Sequence, residues 1–317
     1  MNQPIGTHVV FGTGPVGRAV MQALVEKGKY VRMVNRSGKM KVPAGVEVVR
    51  GDAADPDSTR PLCQGAAVVY NCTNAPYNEW PQKFPDLQAG VLTGAASAGA
   101  KLVVMENVYM YGPTHGQPMR ENLPYAARTR KGATRAHMAE ALLEAHARGK
   151  VRVAIGRASD FFGPGGRESA AGDRMFGPAV AGKTIQVLGN PDLPHTYTYL
   201  ADIGRGLATL GEREEALGQA WHLPNPKTVS TRAFIELICK DAGQKPAIQA
   251  APRLLIQGLG LFNPLMHELA EMLYEFEEPF VVDATCFEKT FGQTATPLEE
   301  AVRITTRWYQ EHTVYNN

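Results

Sequence analysis

The residues best placed for chemistry lie near the start of the chain. Gly12-Thr13-Gly14-Pro15-Val16-Gly17 follows the apolar run His8-Val9-Val10-Phe11 and opens a segment with Val16, Val20 and Leu24 at spacing four. A buried strand, a glycine-rich turn and an amphipathic helix in that order suit a dinucleotide. Gly12 permits the tight turn, Gly14 lets the backbone approach a pyrophosphate, and Gly17 lets helix and strand pack closely. The helix start at Pro15 and Val16 adds free N–H groups and a partial positive charge for the phosphates.

The helix stops at Gly28, and a second strand, Tyr30 to Val34, ends on Asn35-Arg36-Ser37. An Asp or Glu at that place holds the ribose 2′-hydroxyl of NAD. Asn35 does not repel a 2′-phosphate, Arg36 can pair with it or stack on adenine, and Ser37 can donate to it. NADP(H) is therefore favoured over NAD(H). A third strand, Val46 to Val49, leads to Asp52 and Ala53. Asp52 either accepts from the adenine amino group or caps the turn before Pro56.

Composition narrows the partners. With 33 Lys+Arg against 31 Asp+Glu the charge is near balance, which gives no footprint for nucleic acid or a membrane surface. No apolar run reaches the roughly 20 residues that span a bilayer, and residues 1–8 lack a signal-peptide pattern. Cys63, Cys72, Cys239 and Cys286 form no CxxC pair, and each lies in a segment that reads as buried, so free thiols in a reducing cytoplasm are expected. No HxxxH or HExxH spacing marks a metal site.

Further strands follow at Ala66 to Asn71, Lys101 to Met105 and Val151 to Gly156, with helices over Pro85 to Ala98 and Lys131 to Ala147. Thr73 and Asn74 close the fourth strand, and Ala158 follows the sixth; all three are expected to line the cofactor. The glycine motif, Tyr111-Gly112-Pro113, Phe162-Gly163-Pro164-Gly165, Tyr199-Leu200-Ala201-Asp202, and the closing Phe291-Gly292, Thr296-Pro297-Leu298-Glu299-Glu300 and Trp308-Tyr309 together resemble the extended short-chain dehydrogenase/reductases, the group of NAD-dependent epimerases and dehydratases. The resemblance implies an α/β fold, a doubly wound parallel (Rossmann) sheet with a smaller interleaved substrate domain. Residues 1–160, with returning segments near 196–215 and 279–286, would form the NADP-binding domain. Residues 161–195 and 216–317 would mainly form the substrate domain.

That family works with a Tyr and a Lys at YxxxK on one helix, where i and i+4 share a face, plus an upstream Ser or Thr. If Glu140 is the Glu four residues after the family Lys, the Lys place is Ala136 and the Tyr place Gly132. Both groups are missing, and Asn107 stands where the hydroxyl residue belongs, four before Tyr111. The chain thus resembles the atypical members with a degraded active site. Asn107 can still orient a carbonyl, and the phenol of Tyr109 or Tyr111 can serve as acid or simply pack beneath the crevice. Lys131 and Arg135 flank the emptied positions and either supply positive charge there or, as expected for each, lie on a solvated helix face. His195 occupies the place of an Arg that binds a nucleotide phosphate in nucleotide-sugar epimerases, which argues against such substrates. It is a proton donor, a contact for a smaller ligand, or a buried, satisfied imidazole.

Tyr77 and Trp80 lie in a proline-studded loop, positioned either to line the nicotinamide side of the cleft or to pack within the loop. The apolar stretch Leu254 to Tyr274 reads as substrate-domain core or dimer surface. Two functions fit these residues. One is an NADP(H)-dependent oxidoreductase or epimerase acting on a small carbonyl or alcohol, as a monomer or homodimer; the other is a non-catalytic NADP(H)-binding redox sensor.

Overall fold

The computed structural model describes residues 6–251, 258, 268 and 270–312. Strand β1 (Thr7–Phe11) is buried along its whole length, as a parallel strand covered on both faces must be. Helix α1 (Pro15–Glu26) begins with Pro, whose missing N–H costs nothing there, and buries Val16, Val20, Met21 and Leu24. The pattern continues through β2 (Val31–Asn35), β3 (Val46–Arg50), α2 (Pro56–Cys63), β4 (Ala66–Asn71), α3 (Trp80–Ser97), β5 (Lys101–Glu106), α4 (Arg130–Ala147) and β6 (Arg152–Arg157).

Three short parallel or antiparallel pairs follow from β7 (Asp160–Phe162), β8 (Ile185–Leu188), β9 (Pro194–His195), β10 (Tyr197–Tyr199), β12 (Val229–Ser230) and β13 (Ile248–Ala251). Between them, α5 (Leu200–Glu212) packs back on α1, with Lys27 and Glu212 paired at 2.5 Å. Strand β11 (Ala220–His222), inside the stretch 216–317 assigned mainly to the substrate domain, adds an edge to the main sheet.

That sheet has seven parallel strands in the order β11-β6-β5-β4-β1-β2-β3. It is the expected doubly wound sheet. The chain runs one way from β1 to β3 and the other way from β4 outward, so the reversal lies between β1 and β4. Sheets of this kind bind ligands in the crevice at the carboxyl ends of the strands beside such a reversal. A separate aromatic core joins Phe162, Phe176, Phe234 and Tyr309 beyond it.

Local readings shift in four places. Helix α3 starts at Trp80, not near Pro85, because Pro81 takes the first-turn role and Pro85 lies one turn inside. Tyr77–Glu79 is accordingly a helical turn rather than open loop. Cys286 is exposed, on the outer side of the helix Thr285–Phe291, whereas Cys63 and Cys239 are buried and Cys72 half-buried. Most of Leu254 to Tyr274 lies outside the described residues; of it, Glu268, Met272 and Leu273 are buried. Among the described residues no helix is long and apolar enough to cross a membrane.

Candidate active site

The glycine turn leaves β1 with Gly12 at φ +101°, a conformation that L side chains rarely adopt. A Cβ on Gly12 would meet the Cys72 carbonyl oxygen at 2.3 Å, and one on Gly17 would meet the Gly12 oxygen at 2.0 Å. Both glycines are therefore required for the close approach of β1, α1 and β4. Gly14 differs: a Cβ there meets nothing within 4 Å, and as the residue capping α1 it supplies no side chain to the helix N–H groups. An open face over free N–H donors is what a pyrophosphate needs, so the residues present fit a dinucleotide.

At the end of β2 the Asn35 carboxamide turns back on its own loop. Its Oδ1 accepts from the N–H groups of Ser37 and Gly38 and from the Ser37 hydroxyl, while its Nδ2 donates to Thr13 Oγ1 and the Lys39 carbonyl. Asn35 thus braces the β2 loop against the glycine turn and leaves Arg36 and Ser37 exposed at the rim. Asp52 is exposed, with Oδ1 accepting from Ala54 N–H, and Ala53 is buried beside it. Thr73 donates through N–H and hydroxyl to Asn71 Oδ1, and Asn74 is exposed. Ala158, 1% exposed, donates its N–H to the Glu106 carbonyl and ties the ends of β5 and β6.

The crevice floor is built from the turns after β4, β5 and β6. Asn107 Oδ1 accepts from the Tyr109 N–H and from Arg135 Nε, each at 3.3 Å. Trp80 stacks on Tyr109 with ring centroids 5.8 Å apart, and Tyr77 meets Trp80 edge-on. Tyr77 and Tyr109 both pack against the buried cluster of Trp80 and Phe84. Burial pushes both phenols up, and the Glu275 carboxyl adds to the effect.

Tyr111 is placed differently, inside the fold. Its hydroxyl accepts from Arg157 Nη1 at 2.7 Å and lies 2.8 Å from His222 Nε2. His222 Nδ1 donates to the Asp283 carbonyl, so Nε2 is the acceptor and the Tyr111 proton is committed to it. Burial pushes that phenol up to about 12 and lowers His222 to about 4. His195 is 2% exposed; its Nε2 donates to Asp160 Oδ2 at 3.0 Å, and its ring stacks on Phe276 and Phe280.

Lys131 and Arg135 are not solvated. They are 1% and 4% exposed. They share a stripe with Met138 and Leu142, at spacings of four, three and four, which turns toward α3 and the Tyr77 turn. The Lys131 ammonium lies 4.3 Å over the Tyr77 ring and pairs with Glu268 and, at 3.4 Å, Glu271. The Arg135 guanidinium sits over Phe84 and Trp80, and its Nη1 has no partner among the described residues. Gly132 is closed: a Cβ would meet Ala127 Cβ at 2.4 Å and the Tyr109 carbonyl at 2.7 Å.

Glu275 escaped sequence reasoning. It is 2% exposed, its Oε1 lacks a partner among the described residues, and burial together with the Asp160 charge raises its carboxyl well above the usual range. Its surroundings Tyr274-Glu275-Phe276-Glu277-Glu278 read as surface, and no spacing connects them to the crevice. Among the described residues no group of His, Cys, Asp or Glu is arranged to hold a metal ion.

Comparison with known proteins agrees with this architecture. The chain is similar over 98% of its length to the crystal structure of gox2253, covering 99% of that chain with TM-score 0.82 at 18% identity. UDP-glucuronic acid 4-epimerase from Bacillus cereus, solved with NAD, superposes over 96% of this chain and 97% of its own with TM-score 0.79 at 16% identity. A curated relative, 3beta-hydroxysteroid-dehydrogenase/decarboxylase isoform 2 of Arabidopsis thaliana, is 22% identical over 74% of this chain. The chain spans 43% of that relative's length. The family model for the NAD dependent epimerase/dehydratase family matches residues 9–222. With its glycine cradle, sheet order and crevice in place, the chain belongs to the NAD dependent epimerase/dehydratase family.

Proposed function

We propose that this chain is an NADP(H)-dependent oxidoreductase or epimerase that acts on a small carbonyl or alcohol substrate through Asn107 and Tyr109. The observation that carries the reading is the polar cluster at the end of β5. Both bonds to Asn107 use its Oδ1, so the amide N–H groups remain to hold a substrate oxygen. Tyr109 is half-buried beside it, and its phenol is raised, so it stays protonated at neutral pH and suits a donor. Tyr111 has its proton committed elsewhere. A donor that rarely ionises favours carbonyl reduction over alcohol oxidation. A bound nicotinamide supplies the hydride.

The cofactor choice rests on the end of β2, where the loop carries Arg36 and Lys39 exposed and no carboxylate from Asn35 to Met40. A small substrate is supported by His195, which is engaged with Asp160 where a phosphate-binding Arg would stand. Four free cysteines fit a reducing cytoplasm. The test is NADPH oxidation by the full chain across a broad panel of aldehydes and ketones. At least one should turn over, and Tyr109→Phe should slow it by roughly 100- to 10,000-fold, the usual worth of a general acid. Silence across the panel overturns the reading.

The closed Gly132 favours a second reading, a non-catalytic NADP(H) sensor, because the family's tyrosine has no room there. It requires unequal affinity for NADP+ and NADPH and a partner protein recovered on pull-down.

A further inference from the structure

Arg135 is a cation kept inside the protein without an ionic partner. It is 4% exposed, and no carboxylate among the described residues pairs with it. Glu106, beside Asn107 in the chain, gives its carboxylate to Arg157 at 3.0 Å. The Arg135 guanidinium lies instead 4.5 Å over the Phe84 ring and 5.5 Å over the Trp80 ring, and Nη1 is enclosed without a hydrogen bond. Ring faces offset only part of the cost of burying a charge. A methionine of similar length would pack there with nothing to desolvate, so fold stability does not account for the guanidinium.

Its one hydrogen bond among the described residues goes to Asn107. Nε donates to Asn107 Oδ1 at 3.3 Å, and the Tyr109 N–H donates to the same oxygen at 3.3 Å. The two donors come from different elements, helix α4 and the turn Tyr109–Tyr111 after β5. A carboxamide has two flips of nearly equal shape, and the reversed one would set its N–H groups against both of these donors. The backbone donor alone holds Oδ1 at one point and leaves the amide plane free to turn about it. A second donor fixes the plane. Asn107 is itself half-buried, so its Nδ2 stays within reach of a ligand.

We infer that Arg135 is a positioning residue that fixes the Asn107 carboxamide with Nδ2–H toward the substrate oxygen and strengthens that N–H as a donor. The inference rests on the oxidoreductase reading above. Arginine keeps its charge in proteins even where burial lowers its pKa, as it does here. That charge on the Oδ1 side draws electron density from the amide nitrogen, as hydrogen bonds in a chain polarise one another. When the carbonyl carbon accepts hydride from NADPH, its π pair moves to oxygen, which takes the Tyr109 proton; the phenolate regains a proton from water. Until the proton arrives, the oxygen bears the negative charge, and Nδ2–H faces it. A donor set in place beforehand stabilises this charge more than it stabilises the neutral carbonyl. Arg135 acts through Asn107, so its effect falls on kcat rather than on KM or NADPH affinity.

Two measurements on the full chain test this. In a proton–nitrogen NMR spectrum without substrate, the Asn107 side-chain amide, identified by its loss in Asn107→Ala, should lie away from free carboxamide positions. Arg135→Met should move it to those positions, and Arg135→Lys should leave it between the two. Asn107 amide signals that are the same in wild type and Arg135→Met overturn the inference whatever the activity. In reduction of the best carbonyl from the panel by NADPH, Arg135→Met should lower kcat about 100-fold, the usual cost of a misplaced group. KM and NADPH affinity should hold, and Arg135→Lys should recover part of the rate. Added to Asn107→Ala, Arg135→Met should cost little more, as for residues that act as a unit. An arginine that served the fold alone would cost the same in either background. Should Arg135→Met fail to fold, Arg135→Lys is read on the same two scales, an unmoved amide and an unchanged kcat again overturning the inference. Equal kcat in wild type and Arg135→Met, or an undiminished loss in the Asn107→Ala background, overturns the inference and leaves the oxidoreductase reading standing. A wild type that is silent on every carbonyl overturns both.

Discussion

Gly132 and Ala136 mark where chemistry left the α4 helix, and the surroundings of Gly132 make the change hard to reverse. A Cβ there lies 2.4 Å from Ala127 Cβ and 2.8 Å from Thr129 Oγ1, the hydroxyl that caps the helix by accepting from Gly132 N–H. Gly132→Tyr should therefore destabilise the protein by about 1–3 kcal/mol, the usual cost of overpacking, and gain no activity. Urea denaturation checks the first part and NADPH oxidation the second; wild-type stability in this variant would mean that the loop has room to yield. One residue earlier on each turn, Lys131 and Arg135 bring their charge to the crevice wall from a rotated face. The positive charge of the family site is thus kept near the strand ends, but on different atoms and beside different phenols.

The ends of β5 and β6 are joined by a buried ion pair. Glu106 Oε2 accepts from Arg157 Nε at 3.0 Å, with both side chains fully buried, and the same guanidinium donates to Tyr111 and Tyr125. Glu106→Ala would strand the Arg157 charge in the core and should cost about 3–5 kcal/mol, read as a lowered denaturation midpoint. A loss under about 1 kcal/mol would mean that solvent or the phenols carry the charge unaided. This network was invisible in the sequence, because Glu106 and Arg157 stand at strand ends with no shared spacing. Elements set by local pattern were legible: the apolar strands, the glycine turn and the α4 stripe each follow from nearest neighbours. The Lys131–Glu268 contact and the burial of Glu275 depend on chain segments more than a hundred residues apart, and no periodicity encodes such contacts. Even so, Met138 and Leu142 were apolar on the Lys131–Arg135 face, and that stripe was a usable sign that the two cations turn inward.

Across the whole molecule, two buried imidazoles set how stability responds to acid. Burial lowers His8 and His222 from 6.5 to about 4, and His8 lies 3.1 Å from the Tyr70 hydroxyl. The unfolded chain then binds protons that the fold refuses between those two values. Stability from these groups is complete above about pH 6.5, falls as pH drops, and is lost by about pH 4. The loss should be roughly 3 kcal/mol for each imidazole, seen as a falling urea midpoint that His222→Asn flattens. A midpoint constant over that window would show that neither site excludes its proton.

The proposed preference for NADP(H) depends on the rim of the same sheet, where Arg36 and Ser37 stand exposed beside the glycine cradle. Calorimetric titration of the full chain with NADP+ and with NAD+ tests it most directly. NADP+ should bind at least about 10-fold more tightly, the worth of one charge-assisted contact to phosphate, and Arg36→Asp should abolish or reverse that preference. Equal or tighter binding of NAD+ by the wild type, or a preference untouched by Arg36→Asp, would contradict it.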